Sequence, residues 1–268
     1  MRTQVLRAGT LAALAGLALA GCGLTDARNA AIAEARVTPL SAADSLRPGL
    51  VGMPDYPSTG WGESATAAAA GQSATRTGLQ DIGLQTSDLA STLTVRTEPD
   101  GTSLGIPTLD FCSARYPSES LRVARIQRAA YDKQGNFAGL STEVVMYRDV
   151  AAAQQALHEV TAARLGCPVG KRVTTYDGHI IVFAFHPAPG PTSTPLVGPA
   201  SRLIIHTTMK VDGNPQTAFL VYQVSGRVLA ALYAVDNSGK PFPQVTLDAF
   251  YGLAGDIALR LQANAPLL

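Results

Sequence analysis

The sequence predicts an α+β fold, an antiparallel β-sheet with flanking helices, in one globular domain that follows a low-complexity tether. Three observations predict it. A run of strand-like segments is bracketed by helix-periodic ones, which implies a layer fold with helices on one face of the sheet. Asp212-Gly213-Asn214-Pro215 and Ser225-Gly226 join successive strands by connections short enough for antiparallel hairpins. Near Gly78 the composition changes from small and polar residues to alternating apolar ones.

The chain has 268 residues and opens with a secretory pattern: Arg2 and Arg7, then an uncharged run from Ala8 to Ala20. That run is too short for a helix crossing a bilayer, which takes about 20 residues. It ends at Leu19-Ala20-Gly21-Cys22, which matches the lipobox of bacterial lipoproteins. The expectation is a signal peptide over 1–21 and a diacylglyceryl group on Cys22, placing the mature protein on the extracytoplasmic face of the cell membrane. An ordinary signal peptide with an incidental cysteine is the plainer alternative. Residues 22–78 read as the tether, because Ala, Ser, Thr, Gly and Pro bury too little apolar surface to offset the entropy of ordering. A short helix is expected near Asp26 to Arg36. Trp61 either packs on the domain or sits at headgroup level.

The domain spans 79–268. Ser87-Asp88-Leu89-Ala90 reads as a short capped helix, Leu93 to Arg96 as a strand, and Pro99-Asp100-Gly101 as a turn. Leu121 to Tyr131 fits both helical and strand spacing. Strand is favoured, because Asp132-Lys133-Gln134-Gly135-Asn136 makes a hairpin turn into Leu140 to Tyr147. Asp149 caps a helix running to Leu165, with Val150, Ala153, Leu157 and Val160 on one side. Strands follow at Val173 to Tyr176, His179 to Phe185, Arg202 to Val211, Gln216 to Val224 and Arg227 to Val235. The Pro-rich stretch from Pro187 to Pro199 cannot join a ladder along much of its length. Gln244 to Leu261 closes the chain as a helix with Phe250, Leu253, Ile257 and Leu261 as its apolar stripe.

An antiparallel sheet with one wet face alternates apolar and polar residues. Ile180 to Phe185 and Phe219 to Tyr222 are instead apolar on both faces. The second face therefore needs a cover: the other helix, the tether, a partner, or a ligand in a cleft.

Charge excludes one class of function. Once Arg2 and Arg7 are removed, 19 basic side chains face 20 acidic ones, and Lys171-Arg172 is the one adjacent basic pair. That balance supplies neither a field for nucleic acid nor a polybasic patch for lipid. With Cys22 acylated, Cys112 and Cys167 remain, to form a structural disulfide, stay as free thiols or act as a redox couple. A redox couple sits close as C-x-x-C. These two are 55 positions apart, which favours the structural bridge in an oxidising compartment.

Pro107 to Cys112, Tyr116-Pro117-Ser118, the Arg-rich segment to Tyr131, Glu143 to Tyr147 and Leu165-Gly166-Cys167-Pro168 together carry a resemblance. Over roughly Leu79 to Ala263 the chain resembles the exported sensor domains of actinobacteria, such as those of PknH-type serine/threonine kinases, and their free-standing lipoprotein relatives. The resemblance implies an α+β domain with a cleft for an extracellular ligand. The chain departs from it in having cysteines for one bridge rather than two. No kinase is fused to it, so a signal needs a separate partner.

Tests for chemistry give little. Gly101-Thr102-Ser103-Leu104-Gly105 matches G-x-S-x-G, but that motif needs a strand before it and a helix after it, and prolines flank it here. His158, His179, His186 and His206 show no metal-ligand spacing. No phosphate-binding loop or cofactor motif is present, and no reaction is read. The candidate ligand-binding residues are polar groups on apolar strands: Arg125, Arg128, Tyr147, Arg202, His206, Lys210 and Tyr222. His206, Thr208 and Lys210 share one face of their strand. They line an anion- or sugar-binding cleft, or form the solvent side of an edge strand. The expectation is a lipoprotein with a non-catalytic, sensor-like domain for a small-molecule or envelope ligand. The alternative is an interaction protein docking a membrane or wall partner through the second apolar face.

Overall fold

The computed structural model describes residues 67–109, 111–174, 178–192 and 201–268, with side chains described from residue 75 onward. The signal peptide, Cys22, the proposed helix at 26–36, Trp61 and the end of the strand expected at 173–176 lie outside the described residues. Among the described residues there are three α-helices and eight strands: α1 (Ala67–Ile82), β1 (Thr94–Thr97), β2 (Arg122–Tyr131), β3 (Phe137–Tyr147), α2 (Val150–Gly166), β4 (Arg172–Thr174), β5 (Ile180–His186), β6 (Arg202–Val211), β7 (Asn214–Ser225), β8 (Val228–Asp236) and α3 (Gln244–Asn264). All the strands join one antiparallel sheet in the order β1-β2-β3-β8-β7-β6-β5-β4. Two meanders, β1–β3 and β4–β8, thus meet at the β3–β8 pair, with α2 as the crossover between them.

Local chemistry explains the turns. Asp132 Oδ1 accepts from the backbone N–H of Gln134 at 2.9 Å and of Asn136 at 2.8 Å, which closes the β2–β3 hairpin. At the β6–β7 turn Asp212 and Gly213 both take positive φ, +49° and +89°, as a two-residue hairpin of this hand requires. Asp149 caps α2 by accepting from Ala152 N–H at 2.8 Å.

The expectation of helices on one face is corrected. α2 lies on one face, against Val145, Tyr147, Leu220, Tyr222, Leu229 and Tyr233. α1 and α3 lie on the other, where Leu79, Ile82, Phe250, Leu253, Ile257 and Leu261 meet Ile126, Val144, Phe219, Val221 and Leu232. The physical reason is the doubly apolar strands: every residue of β8 is buried. Each large side chain so covered contributes roughly 1.5–3 kcal/mol. Helices thus cover both faces of β3, β7 and β8, while Ile180, Val182 and Ala184 of β5 stay half-buried on the α1/α3 side.

Two smaller readings also change. Val150 is 54 % exposed and Ala152, Ala156 and Ala163 join the buried stripe of α2 in its place. α1 begins at Ala67, inside the stretch read as tether. Alanine has the strongest intrinsic helix propensity, and the last turn of α1 is anchored by the buried Leu79 and Ile82. The short helix near Ser87 is a single 3-10 turn, Thr86–Asp88.

Cys112 and Cys167 form a disulfide with Cα atoms 5.5 Å apart, joining the β1–β2 connection to the end of α2. Cys112 and Ser113 hold φ of +60° and +53°, uncommon for residues with a Cβ.

Candidate functional site

The seven candidate residues do not converge. Arg125, Tyr147 and Tyr222 point to the α2 face, while Arg128, Arg202, His206 and Lys210 lie on the α1/α3 face. Three environments result.

The first is a buried ion-pair cluster under residues 98–121. Arg125 Nε donates to Glu143 Oε1 at 2.7 Å, and its Nη1 donates to the carbonyls of Asp100 and Ser103. Arg122 donates to the carbonyls of Leu104 and Ile106 and lies 3.1 Å from Glu119 Oε2. The carboxylates take the amides: Glu119 accepts from Thr108 N–H at 2.8 Å and from Leu109 N–H at 2.9 Å. Thr108 Oγ1 donates to Glu143 Oε1. Two arginines gather carbonyls and two glutamates gather N–H and O–H groups, so this loop is pinned to the sheet by groups of both signs. Burial pushes Glu119 up to about 7, against the opposing pull of Arg122 and the two amides. Burial also raises Glu143, with Arg125 opposing, and raises Tyr147 well above the usual phenol range. Glu143 Oε2 and the Tyr147 hydroxyl are buried without a hydrogen-bond partner. Arg125 and Tyr147 therefore serve the interior. Tyr222 does too, edge-on to Tyr233 with ring centroids 5.8 Å apart.

The second environment is the C-terminal end of α1. Arg128 donates to the carbonyls of Gln80 and Leu84, and Arg260 from α3 donates to that of Ile82 at 3.2 Å. Arg260 also grips Asp88 with two bonds, at 2.8 and 2.9 Å. These guanidiniums satisfy carbonyls that a helix end and the chain leaving it leave open. Arg128 is thus a helix-terminating group.

The third is the row on β6 at the flank of α3. Arg202 is half-buried and donates to Gln223 Oε1 at 3.2 Å, while Lys210 is exposed. His206 rests on Phe219, ring centroids 5.2 Å apart, and Phe219 also meets Phe250 and Tyr251 edge-on. Directly opposite His206 in the ladder stands His186. Burial lowers the His206 pKa, with the neighbouring His186 acting in the same direction and the Pro187 carbonyl opposing. Residues 187–192 run alongside: the Tyr251 hydroxyl donates to Pro189 O at 2.5 Å, and Thr192 donates twice to Asp248. A strand rises about 3.3 Å per residue, so Arg202 and Lys210 stand roughly 26 Å apart.

Sequence reasoning missed His186. It was read only as one of four histidines without metal-ligand spacing, because the register that sets His186 against His206 passes through a long Pro-rich connection with no turn signal. Ser103 of the G-x-S-x-G stretch is exposed, and its Oγ accepts from Gly105 N–H at 3.2 Å, as in a tight loop. Among the described residues no α-helix begins directly after it; the next helical segment is the 3-10 turn Phe111–Ser113. Among the described residues no group of three or more His, Cys, Asp or Glu side chains is placed to hold a metal ion.

No family model matches the chain, and no curated protein matches it. Among solved structures it is similar to the extracellular domain of PknH from Mycobacterium tuberculosis, with a TM-score of 0.37 and 15 % identity over 67 % of this chain and 80 % of that one. Likeness at that level carries no argument about what the chain binds. No described helix is long and apolar enough to cross a membrane.

Proposed function

We propose that the protein is an extracytoplasmic lipoprotein, anchored through Cys22, whose α+β domain binds an envelope-derived ligand without turning it over. The observation that carries the reading is Leu19-Ala20-Gly21-Cys22 at the end of a short apolar run behind Arg2 and Arg7. It is supported by the pairing of the two remaining cysteines, the state an oxidising compartment favours. Cys22→Ala should move the protein from the membrane to the soluble fraction, and a variant that stays with the membrane would overturn the anchor.

For the ligand surface, the β6 row of Arg202, His206 and Lys210 is favoured. Of the seven candidates these three stand at the flank of α3, while the others serve the core or a helix end. Its length and cationic ends fit an extended anionic or sugar-bearing ligand. Native mass spectrometry of material co-purifying with the full chain tests it: the adduct should be lost in Arg202→Gln/Lys210→Gln. An adduct unchanged by that pair of substitutions would remove the row from the account.

A further inference from the structure

We propose that His186 and His206 form a rim site for a divalent transition ion of the zinc type, two imidazoles supplied by the protein and the remaining positions by water. The two residues are direct partners in the β5–β6 ladder, so both side chains leave the same face of the sheet. Their ring centroids are 5.1 Å apart and their planes meet at 50°. Zinc–nitrogen bonds of about 2.0–2.1 Å, plus about 1.1 Å from nitrogen to ring centre, put each ring centre about 3.1 Å from a shared ion. At the tetrahedral angle of about 109° the ring centres then lie roughly 5.1 Å apart. A square-planar ion, with ligands at about 90°, would need them nearer, at roughly 4.5 Å. The observed separation leaves room for a tetrahedral ion between the rings.

Outer partners agree with this. His206 Nδ1 lies 3.2 Å from the carbonyl oxygen of Pro187, which only accepts, so Nδ1 carries the hydrogen and Nε2 keeps its lone pair. A backbone carbonyl on the far nitrogen is the partner that metal-bound imidazoles commonly have. His186 Nε2 lies 2.8 Å from Thr208 Oγ1. A hydroxyl can accept from that nitrogen, and Nδ1 is then the bare one. His186 is exposed, which leaves room for water to enter and complete the shell. Asp248, the carboxylate tied to the neighbouring 187–192 segment, is already engaged by Thr192 and Gln244. The site shares His206 with the proposed ligand row, but its test reads zinc uptake and the row's test reads the Arg202/Lys210 adduct, so either can fail while the other stands.

Calorimetric titration of Zn2+ into the untagged mature-length chain tests it, with Cys22→Ser so that no free thiol competes. One ion should bind per chain at neutral pH. His186→Asn and His206→Gln should each abolish binding, and Thr208→Val should weaken it about tenfold. His158→Ala, on the exposed side of α2, should leave it unchanged. Thermal melts of each variant separate lost ligation from lost fold, and if His206→Gln unfolds, the exposed His186→Asn decides alone. The proposal is overturned if the chain takes up no zinc. It is also overturned if His186→Asn folds and binds as before, or if His158→Ala weakens binding as much as His186→Asn does.

Discussion

Arg125 Nε donates to Glu143 Oε1 at 2.7 Å with both side chains withdrawn from water, and the same arginine holds the carbonyls of Asp100 and Ser103. The pair thus fixes β2 to β3 and the β1–β2 connection to both. Removing one partner leaves a buried charge without compensation, a loss of about 3–5 kcal/mol. Arg125→Ala should therefore be strongly destabilising in urea unfolding. The double substitution Arg125→Met/Glu143→Leu, which removes both charges, should cost much less. Equal losses in the single and the double variant would contradict this account of the cluster.

Glu119 predicts a pH dependence. Its folded pKa is about 7 against an ordinary 4.5, so between those values the folded state holds more proton than the unfolded one. The stability it contributes is fully present below about pH 4.5 and is lost as pH rises through 7. Linkage puts the full effect on the order of 3 kcal/mol. Glu119→Gln cannot titrate, so its stability relative to the native chain should improve steadily from pH 5 to pH 8. A pH-independent difference between the two would rule out a raised Glu119.

The disulfide ties the 98–121 connection to the end of α2 across 55 positions. In the chain-entropy model, closing such a loop stabilises the fold by about 4 kcal/mol. Reduction with dithiothreitol should lower the melting temperature by many degrees. An unchanged melt would show that the bridge is not formed or not constraining.

Asp149 is a half-exposed cap that accepts from Ala152 N–H at 2.8 Å and from Arg148 Nε at 3.0 Å. Asp149→Ala should cost about 1 kcal/mol, read as a shift in the urea midpoint at constant slope. A neutral substitution would mean that α2 is held by its packing alone.

How much of this was legible depends on where the information lies. β6 was read with its observed ends, and α3 with its observed start, because turn residues and an apolar stripe mark those bounds locally. The hairpin at Asp132 to Asn136 resolved the ambiguous Leu121 to Tyr131 in favour of a strand for the same reason. Which helix covers which face was not legible, since β7 and β8 are apolar on both sides and alternation has nothing to report. Nor was the fate of each polar group. Arg125 and Arg202 look alike in sequence, yet one pairs with a buried carboxylate supplied by β3 and the other lies beside Gln223 at the flank of α3. Tertiary neighbours decide that difference, and they are distant in the chain. The same holds for His186 and His206, brought together across a connection whose length sets no register.

The central claim is that the chain is processed and acylated at Cys22. Intact-mass analysis of protein extracted from native membranes tests it most directly. The account predicts the mass of residues 22–268 increased by a diacylglyceryl group, with or without a further acyl chain on the new amino terminus. A mass that retains residues 1–21 and carries no lipid would contradict it.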